Sequence, residues 1–187
     1  MNVPNKITMS RLVLAVAFFV LVSFDDPVSL DVGLVVFVAA CLTDSLDGYL
    51  ARKWGQETAL GRIADPLVDK VIVCGGFALL AHRAPVLHPW MLVVIISREF
   101  LVSSIRAYVE SRGIAFGARW SGKAKAATQM VALALVIYLM AHEDLPLLSP
   151  SAAATIVTIV VYLAIALTVY SGVVYIGAAR RALAKAD

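Results

Sequence analysis

Asp44-Ser45-Leu46-Asp47-Gly48-Tyr49-Leu50-Ala51-Arg52 is followed, after eight residues, by Gly61-Arg62-Ile63-Ala64-Asp65-Pro66-Leu67-Val68-Asp69. Four carboxylates thus stand inside a chain whose mean hydropathy is +0.87. A charge at bilayer depth costs about 2.5–3.5 kcal/mol on insertion scales, so it is kept only with a partner or a task. Charges of one sign cannot neutralise one another. Something positive must stand among these acids, and divalent metal ions are the simplest choice.

The sequence on either side is what makes these acids intramembrane acids. Of 187 residues, 61% are hydrophobic and 16% charged, against about 25% charged in ordinary soluble domains. Apolar runs separated by short polar breaks predict six spans, at approximately 8–24, 30–52, 58–81, 86–110, 122–141 and 152–178. The expected architecture is therefore an all-α polytopic membrane protein of six transmembrane helices, forming one domain over 1–187. The first apolar run reads as a retained span, because no small-residue cleavage site follows it. Ahead of it, Asn2, Pro4, Asn5 and Lys6 alternate with Val3 and Ile7. That pattern suits a short interfacial amino-terminal segment, or equally a polar tail.

Basic residues set the expected orientation. Lys6 and Arg11 flank the start, Arg52, Lys53 and Arg62 the second break, and Arg112, Arg119, Lys123 and Lys125 the fourth; Arg180, Arg181 and Lys185 follow the last span. The positive-inside bias then puts both termini and the acid-bearing ends in the cytoplasm. The net charge of +3 follows from this bias and does not indicate nucleic-acid binding. Cys41 and Cys74 lie in apolar stretches and read as small buried hydrophobes. His82, His88 and His142 fall on the outer side, away from the acids. Trp54, Trp90 and Trp120 stand near span ends, as interface anchors do.

Helical spacing makes one site of the acids. Asp44, Asp47, Gly48 and Ala51 share one face of the second span, and Gly61, Asp65 and Asp69 share one face of the third. The short break makes these spans antiparallel neighbours, so the carboxylates converge near the cytoplasmic surface. Oxygen-only ligands suit magnesium, manganese or calcium. Two such ions bridged by carboxylates form a device for phosphoryl displacement, with one acid spared as a general base. Pro66 predicts a kink or local opening. The competing readings are helix packing through acid–base pairs with Arg52, Arg98 or Arg106, and a membrane cation or proton transporter.

The complete pattern D-x2-D-G-x2-A-R-x8-G-x3-D-x3-D, from Asp44 to Asp69, resembles the signature of the CDP-alcohol phosphatidyltransferases, membrane enzymes of phospholipid synthesis. Three further stretches resemble the bacterial phosphatidylglycerophosphate synthase branch of that family. They are Pro4-Asn5-Lys6-Ile7-Thr8-Met9-Ser10-Arg11, Arg98-Glu99-Phe100-Leu101-Val102-Ser103-Ser104-Ile105-Arg106, and the run from Gly122 through Lys123, Lys125 and Thr128 to Met130. The likeness covers roughly the first 140 residues, and the last span matches only in being apolar. One departure is Ala126, where a threonine is expected directly after the second lysine.

The resemblance implies a six-helix homodimer in the bacterial inner membrane, with a two-metal site (Mg2+ or Mn2+) facing the cytoplasm. The implied reaction transfers the phosphatidyl group of CDP-diacylglycerol to sn-glycerol 3-phosphate, giving phosphatidylglycerol phosphate and CMP. The same chemistry with inositol phosphate, serine or phosphatidylglycerol as acceptor is the alternative. By carry-over Asp44, Asp47, Asp65 and Asp69 are metal ligands and Asp69 the base. Gly48, Ala51 and Gly61 would cradle the cytidine and Arg52 would meet the donor, with Asn5 and Thr8 touching it from the amino-terminal segment. The acceptor phosphate would fall to Arg106, Arg112, Arg119, Lys123 and Lys125. Arg98, deeper in its span, is expected to pair with Glu99 or a core acid in a structural role.

Overall fold

The computed structural model describes the backbone of residues 3–54, 59–114, 116–117, 120–142 and 149–184, and the side chains of 9–43, 67–68, 70–114, 116–117, 120–142 and 149–184. Six helices follow in chain order: α1 (Val3–Ser23), α2 (Pro27–Trp54), α3 (Ala59–Leu80), α4 (Pro89–Ser111), α5 (Trp120–Ala141) and α6 (Pro150–Leu183). No strand occurs among the described residues. The sequence limits are met closely, with two differences. Residues 3–7 continue α1 and form no separate segment. Pro4 stands in the first turn, where its missing N–H has no intrahelical partner to lose. At the other end α6 continues five residues beyond its expected limit, to Leu183. Pro66 does not interrupt α3, which stays helical from Ala59 to Leu80.

Among the described residues, α5 and α6 are long and apolar enough to cross a membrane, and shorter apolar stretches run over Met9–Ser23, Pro27–Thr43 and Lys70–Leu80.

The three helices that start at one end of the bundle all open on proline: Pro27, Pro89 and Pro150. Proline is pre-set for that position. Asp26 accepts a hydrogen bond from Ser29 N at 3.0 Å, and Ser149 caps α6 by accepting from Ala152 N at 3.3 Å. At this end Arg83, after α3, donates to the carbonyls of Val22 and Phe24 and pairs with Asp25. It thereby satisfies the last carbonyls of α1. At the opposite end α4 stops at Gly113, whose φ of +75° and N–H bond to Glu110 O at 2.9 Å close the helix as glycine caps do.

The main core draws buried residues from all six helices. Phe18, Phe37, Leu80, Leu133 and Ile137 are each almost fully buried there. Gly75 and Gly76 let α3 approach closely. A Cβ on Gly75 would lie 2.5 Å from the Phe19 ring, and one on Gly76 would lie 2.6 Å from Leu133 Cδ2. A second, smaller cluster of Val102, Val109, Phe116, Tyr175, Ala178 and Ala179 joins the ends of α4 and α6 to the chain entering α5. The length of α6, 34 residues or about 51 Å at 1.5 Å per residue, exceeds the roughly 30 Å hydrocarbon core. Its surplus builds this cluster.

Candidate active site

The buried residues of α2 fall at Leu30, Gly33, Phe37 and Ala40, alternate steps of three and four. Continued, that register passes through Asp44, Asp47 and Ala51. On α3 the buried positions Ile72, Gly76 and Leu80 continue backward through Asp69, Asp65 and Gly61. On α1 the buried series Arg11, Ala15, Phe18 and Val22 continues backward to Thr8. The acids thus stand at register positions that belong to the inward stripes of two helices, both of which pack against α1. The backbones of Asn5, Thr8, Asp44, Asp47, Gly48, Ala51, Arg52, Gly61, Asp65 and Asp69 are helical. Their side chains lie outside the described residues, and Arg119 lies outside them altogether.

In the sequence Arg11 marks orientation and closes the Pro4-to-Arg11 stretch of the resemblance. Its side chain is 1% exposed, among the most buried in the chain. It shares the α1 stripe with Thr8, at the acid-bearing end. A guanidinium held so deeply calls for negative charge nearby, and the register brings the carboxylate helices to the same stripe.

A basic cluster stands among α3, α4 and α5. Lys125 of α5 is ion-paired with Glu99 of α4, and Arg98 reaches the same carboxylate at 3.2 Å. The pairing of Arg98 with Glu99 is the one expected from sequence. Lys70, directly after Asp69, donates to Ser103 Oγ, whose hydroxyl donates to Glu99 O at 2.7 Å. Two cations therefore share the Glu99 carboxylate, and a third, Lys70, stands one hydroxyl away from the Glu99 backbone carbonyl, leaving net positive charge beside the acid helices.

The Arg98 stem runs past two glycines: a Cβ on Gly172 would lie 3.4 Å from its Cγ, and one on Gly122 would lie 3.9 Å from Nη2. Larger residues there would close its path to the start of α5. At that helix start two polar atoms, Arg98 Nε and Ser121 Oγ, are buried without a hydrogen-bond partner among the described residues. Lys123, in the same first turn, is exposed. No acid stands in that turn. A helix N-terminus carries partial positive charge, to which nearby cations add.

Four of the five expected acceptor-phosphate residues, Arg106, Arg112, Lys123 and Lys125, have described side chains. Lys123 and Lys125 lie on α5 as described. Arg106 donates to Tyr175 Oη at 2.6 Å, with its guanidinium 5.6 Å from that ring's centre. Arg112 is exposed and stacks on Tyr108, 5.3 Å from its ring centre, while donating to the Tyr108 hydroxyl at 2.9 Å. Two arginines read as phosphate ligands are thus already engaged with tyrosines. Sequence reasoning passed over Lys70 and Ser121, which looked like ordinary residues of a span end. Among the described residues no three His, Cys, Asp or Glu side chains gather as a metal site; the four acids are outside them. Neither cysteine forms a disulfide.

Comparison with known proteins agrees with the acid signature. The profile described as CDP-alcohol phosphatidyltransferase matches residues 1–175. A Bacillus subtilis (strain 168) protein named CDP-diacylglycerol–glycerol-3-phosphate 3-phosphatidyltransferase is 36% identical over 150 residues, covering 73% of this chain and 76% of its own. The Escherichia coli (strain K12) protein of the same name is 35% identical over 145 residues, covering 73% and 77% respectively.

Proposed function

Since the chain belongs to the CDP-alcohol phosphatidyltransferase family, we propose that it transfers the phosphatidyl group of CDP-diacylglycerol to sn-glycerol 3-phosphate and releases CMP. The observation that carries this reading is the intact eight-position signature from Asp44 to Asp69, in register with the buried stripes of α2 and α3. The names of the relatives supply the acceptor. The chain is read as an inner-membrane protein with both termini and the signature in the cytoplasm, supported by the basic residues at that end and the apolar helices.

The donor set fits two hard divalent cations, Mg2+ or Mn2+: four carboxylates and no soft ligand in the signature. Asp44, Asp47, Asp65 and Asp69 would hold them. When bound, the ions neutralise the pyrophosphate of the donor and make CMP a better leaving group. The Asp69 carboxylate takes the proton from a free hydroxyl of the acceptor. That oxygen attacks the phosphorus bearing the diacylglycerol, and the bond from this phosphorus to the CMP oxygen breaks. Gly48, Ala51 and Gly61, small or lacking a side chain, leave room for the cytidine. Arg52, with Asn5 and Thr8 of α1, meets the rest of the donor.

The acceptor's phosphate is assigned to the start of α5. Ser121 Oγ and Arg98 Nε have no other partner among the described residues. Lys123 adds a flexible cation, and Lys125 contributes the charge that Glu99 does not cancel. The chain is read as a homodimer by family resemblance.

The test is CMP release by the purified chain in liposomes containing CDP-diacylglycerol, with each acceptor in turn. Release with glycerol 3-phosphate, lost on chelation, restored by Mg2+ or Mn2+, and abolished in Asp69→Asn is the expected result. Release with inositol phosphate or serine but not glycerol 3-phosphate would overturn the acceptor. Cation flux in sealed vesicles without CMP release would move the chain to the transporter class.

A further inference from the structure

We infer that Tyr175 is a positioning residue: through Arg106 and Gly117 it latches the chain entering α5, and so sets where the anion-binding start of that helix stands. The inference rests on the assignment of acceptor phosphate to that helix start.

The geometry is a relay of hydrogen bonds through one hydroxyl. Arg106 Nη2 of α4 donates to Tyr175 Oη of α6 at 2.6 Å, and Tyr175 Oη donates to the Gly117 carbonyl at 3.2 Å. A phenol that accepts from a cation becomes a stronger donor in turn. The Phe116 ring stands edge-on to the Tyr175 ring, 5.3 Å between centres and 86° between planes, a favoured aromatic arrangement. Tyr175 is 1% exposed and Phe116 9%. One buried side chain on α6 thus grips two consecutive residues of the connection, by ring and by hydroxyl.

Ile114 and Phe116 also pack on the cluster of Val102, Val109, Ala178 and Ala179, while the Gly117 carbonyl is held by Tyr175. Gly117 has open space around it, and Gly113, upstream, likewise. Trp120, the first residue of α5, is 82% exposed. Gly122 contributes no side chain. The path into α5 is therefore fixed three residues ahead of the helix by Tyr175, and Ser121 and Lys123 inherit their position from it. This also gives Arg106 a role unlike the one its charge suggests. One Nη of its fork donates to the tyrosine, its Nε is buried without a partner among the described residues, and it acts on the phosphate site through Tyr175 and Gly117.

The experiment uses the full chain in liposomes with Tyr175→Phe, which keeps the ring contact with Phe116 and removes the hydroxyl. The expected result is a rise of roughly tenfold in KM for glycerol 3-phosphate, with kcat and the KM for CDP-diacylglycerol changed less than about twofold. Arg106→Met should give a similar rise, and the double variant no further one, because both changes break the same relay. Additive losses, or an Arg106→Met effect far beyond that of Tyr175→Phe, would make Arg106 a direct phosphate ligand and overturn the latch. Amide hydrogen exchange supplies a readout independent of turnover. Peptides covering 112–121 should exchange faster in Tyr175→Phe while those of α1 stay unchanged, and unchanged exchange at 112–121 overturns the proposal. A wild-type chain inactive with glycerol 3-phosphate, yet showing this local change, would retain the latch and refute the acceptor assignment instead.

Discussion

Glu99 of α4 holds two cations at once, the Lys125 ammonium of α5 and the Arg98 guanidinium beside it. All three side chains are nearly buried, at 13%, 7% and 10% exposure. A buried carboxylate shared by two bases is poor evidence of net stabilisation, because each charge has been taken out of water. Removing it, however, strands both cations.

Glu99→Gln is therefore expected to be costly where Lys125→Met is milder. Breaking a buried pair costs about 3–5 kcal/mol, which for a chain of this length lowers Tm by roughly 6–20 °C. Lys125→Met removes one cation and leaves Glu99 with Arg98. Thermal unfolding in detergent micelles compares the two. Equal shifts, or a larger loss for Lys125→Met, would show that Glu99 is not the member whose charge the cluster depends on.

Arg11 offers a second test, this one of charge balance among the acids. Its buried guanidinium sits on the α1 stripe that faces the carboxylate-bearing helices. Without bound ions, the carboxylates depend on such cations for neutralisation; with ions bound they depend on them less. Arg11→Gln should therefore lower Tm most in chelator and recover with Mg2+, so that the Mg2+-induced rise in Tm is about twice that of the wild type. The same deficit with and without Mg2+ would place Arg11 outside the electrostatics of the site.

Much of this arrangement was legible in the sequence because long apolar runs obey simple rules. Apolar runs bounded by Asp25-Asp26-Pro27 or by Ser149-Pro150 read as helices, since backbone polar groups in apolar surroundings must be satisfied internally. The acids were legible because charge in such runs is conspicuous and helical spacing leaves little choice of face. What escaped were contacts with no periodic trace. Tyr175 and Phe116 stand far apart in sequence, and an apolar final span gives no reason to single out one tyrosine. Arg106 and Arg112 carry the right charge for phosphate, but charge does not reveal that an aromatic ring already occupies each. The continuity of α1 through residues 3–7 escaped for a different reason, because polar residues and a proline suggested an interruption that a first helical turn tolerates.

The glycines of α3 test how tightly the helices are packed. Gly76→Val would drive its side chain into Leu133 and Phe18, the latter 3.2 Å from a bare Cβ. Both neighbours are fully buried, so neither can swing away. Overpacking of this kind costs about 1–3 kcal/mol. Gly177→Ala is the matching control on α6, where a Cβ meets nothing within 4 Å. Its Tm should stay within about 2 °C of the wild type. A Gly76→Val chain as stable as the control would mean that α1 and α5 yield readily and that this close approach is not required.

The polar contact between α5 and α6 should respond asymmetrically to removal of its two ends. Gln129 Nε2 donates to Thr168 Oγ1 at 2.8 Å, while that same hydroxyl donates to Ala164 O of its own helix at 2.6 Å. Both side chains are buried. If Gln129 is replaced by Leu, Thr168 keeps its bond to the backbone and no polar group is stranded. If Thr168 is replaced by Val, the Gln129 amide loses its acceptor in an apolar interior, where an unsatisfied group costs about 1–3 kcal/mol. Thr168→Val should thus unfold at a lower temperature than Gln129→Leu. The double variant should lie closer to Gln129→Leu than to Thr168→Val, since replacing the amide removes the stranded group itself. Hydrogen bonds between membrane helices average only about 0.6 kcal/mol by double-mutant cycles, so the size of the coupling matters less than the order of the three variants. The reverse order, with Gln129→Leu the most damaging, would mean that the amide makes the essential contact through its other atoms.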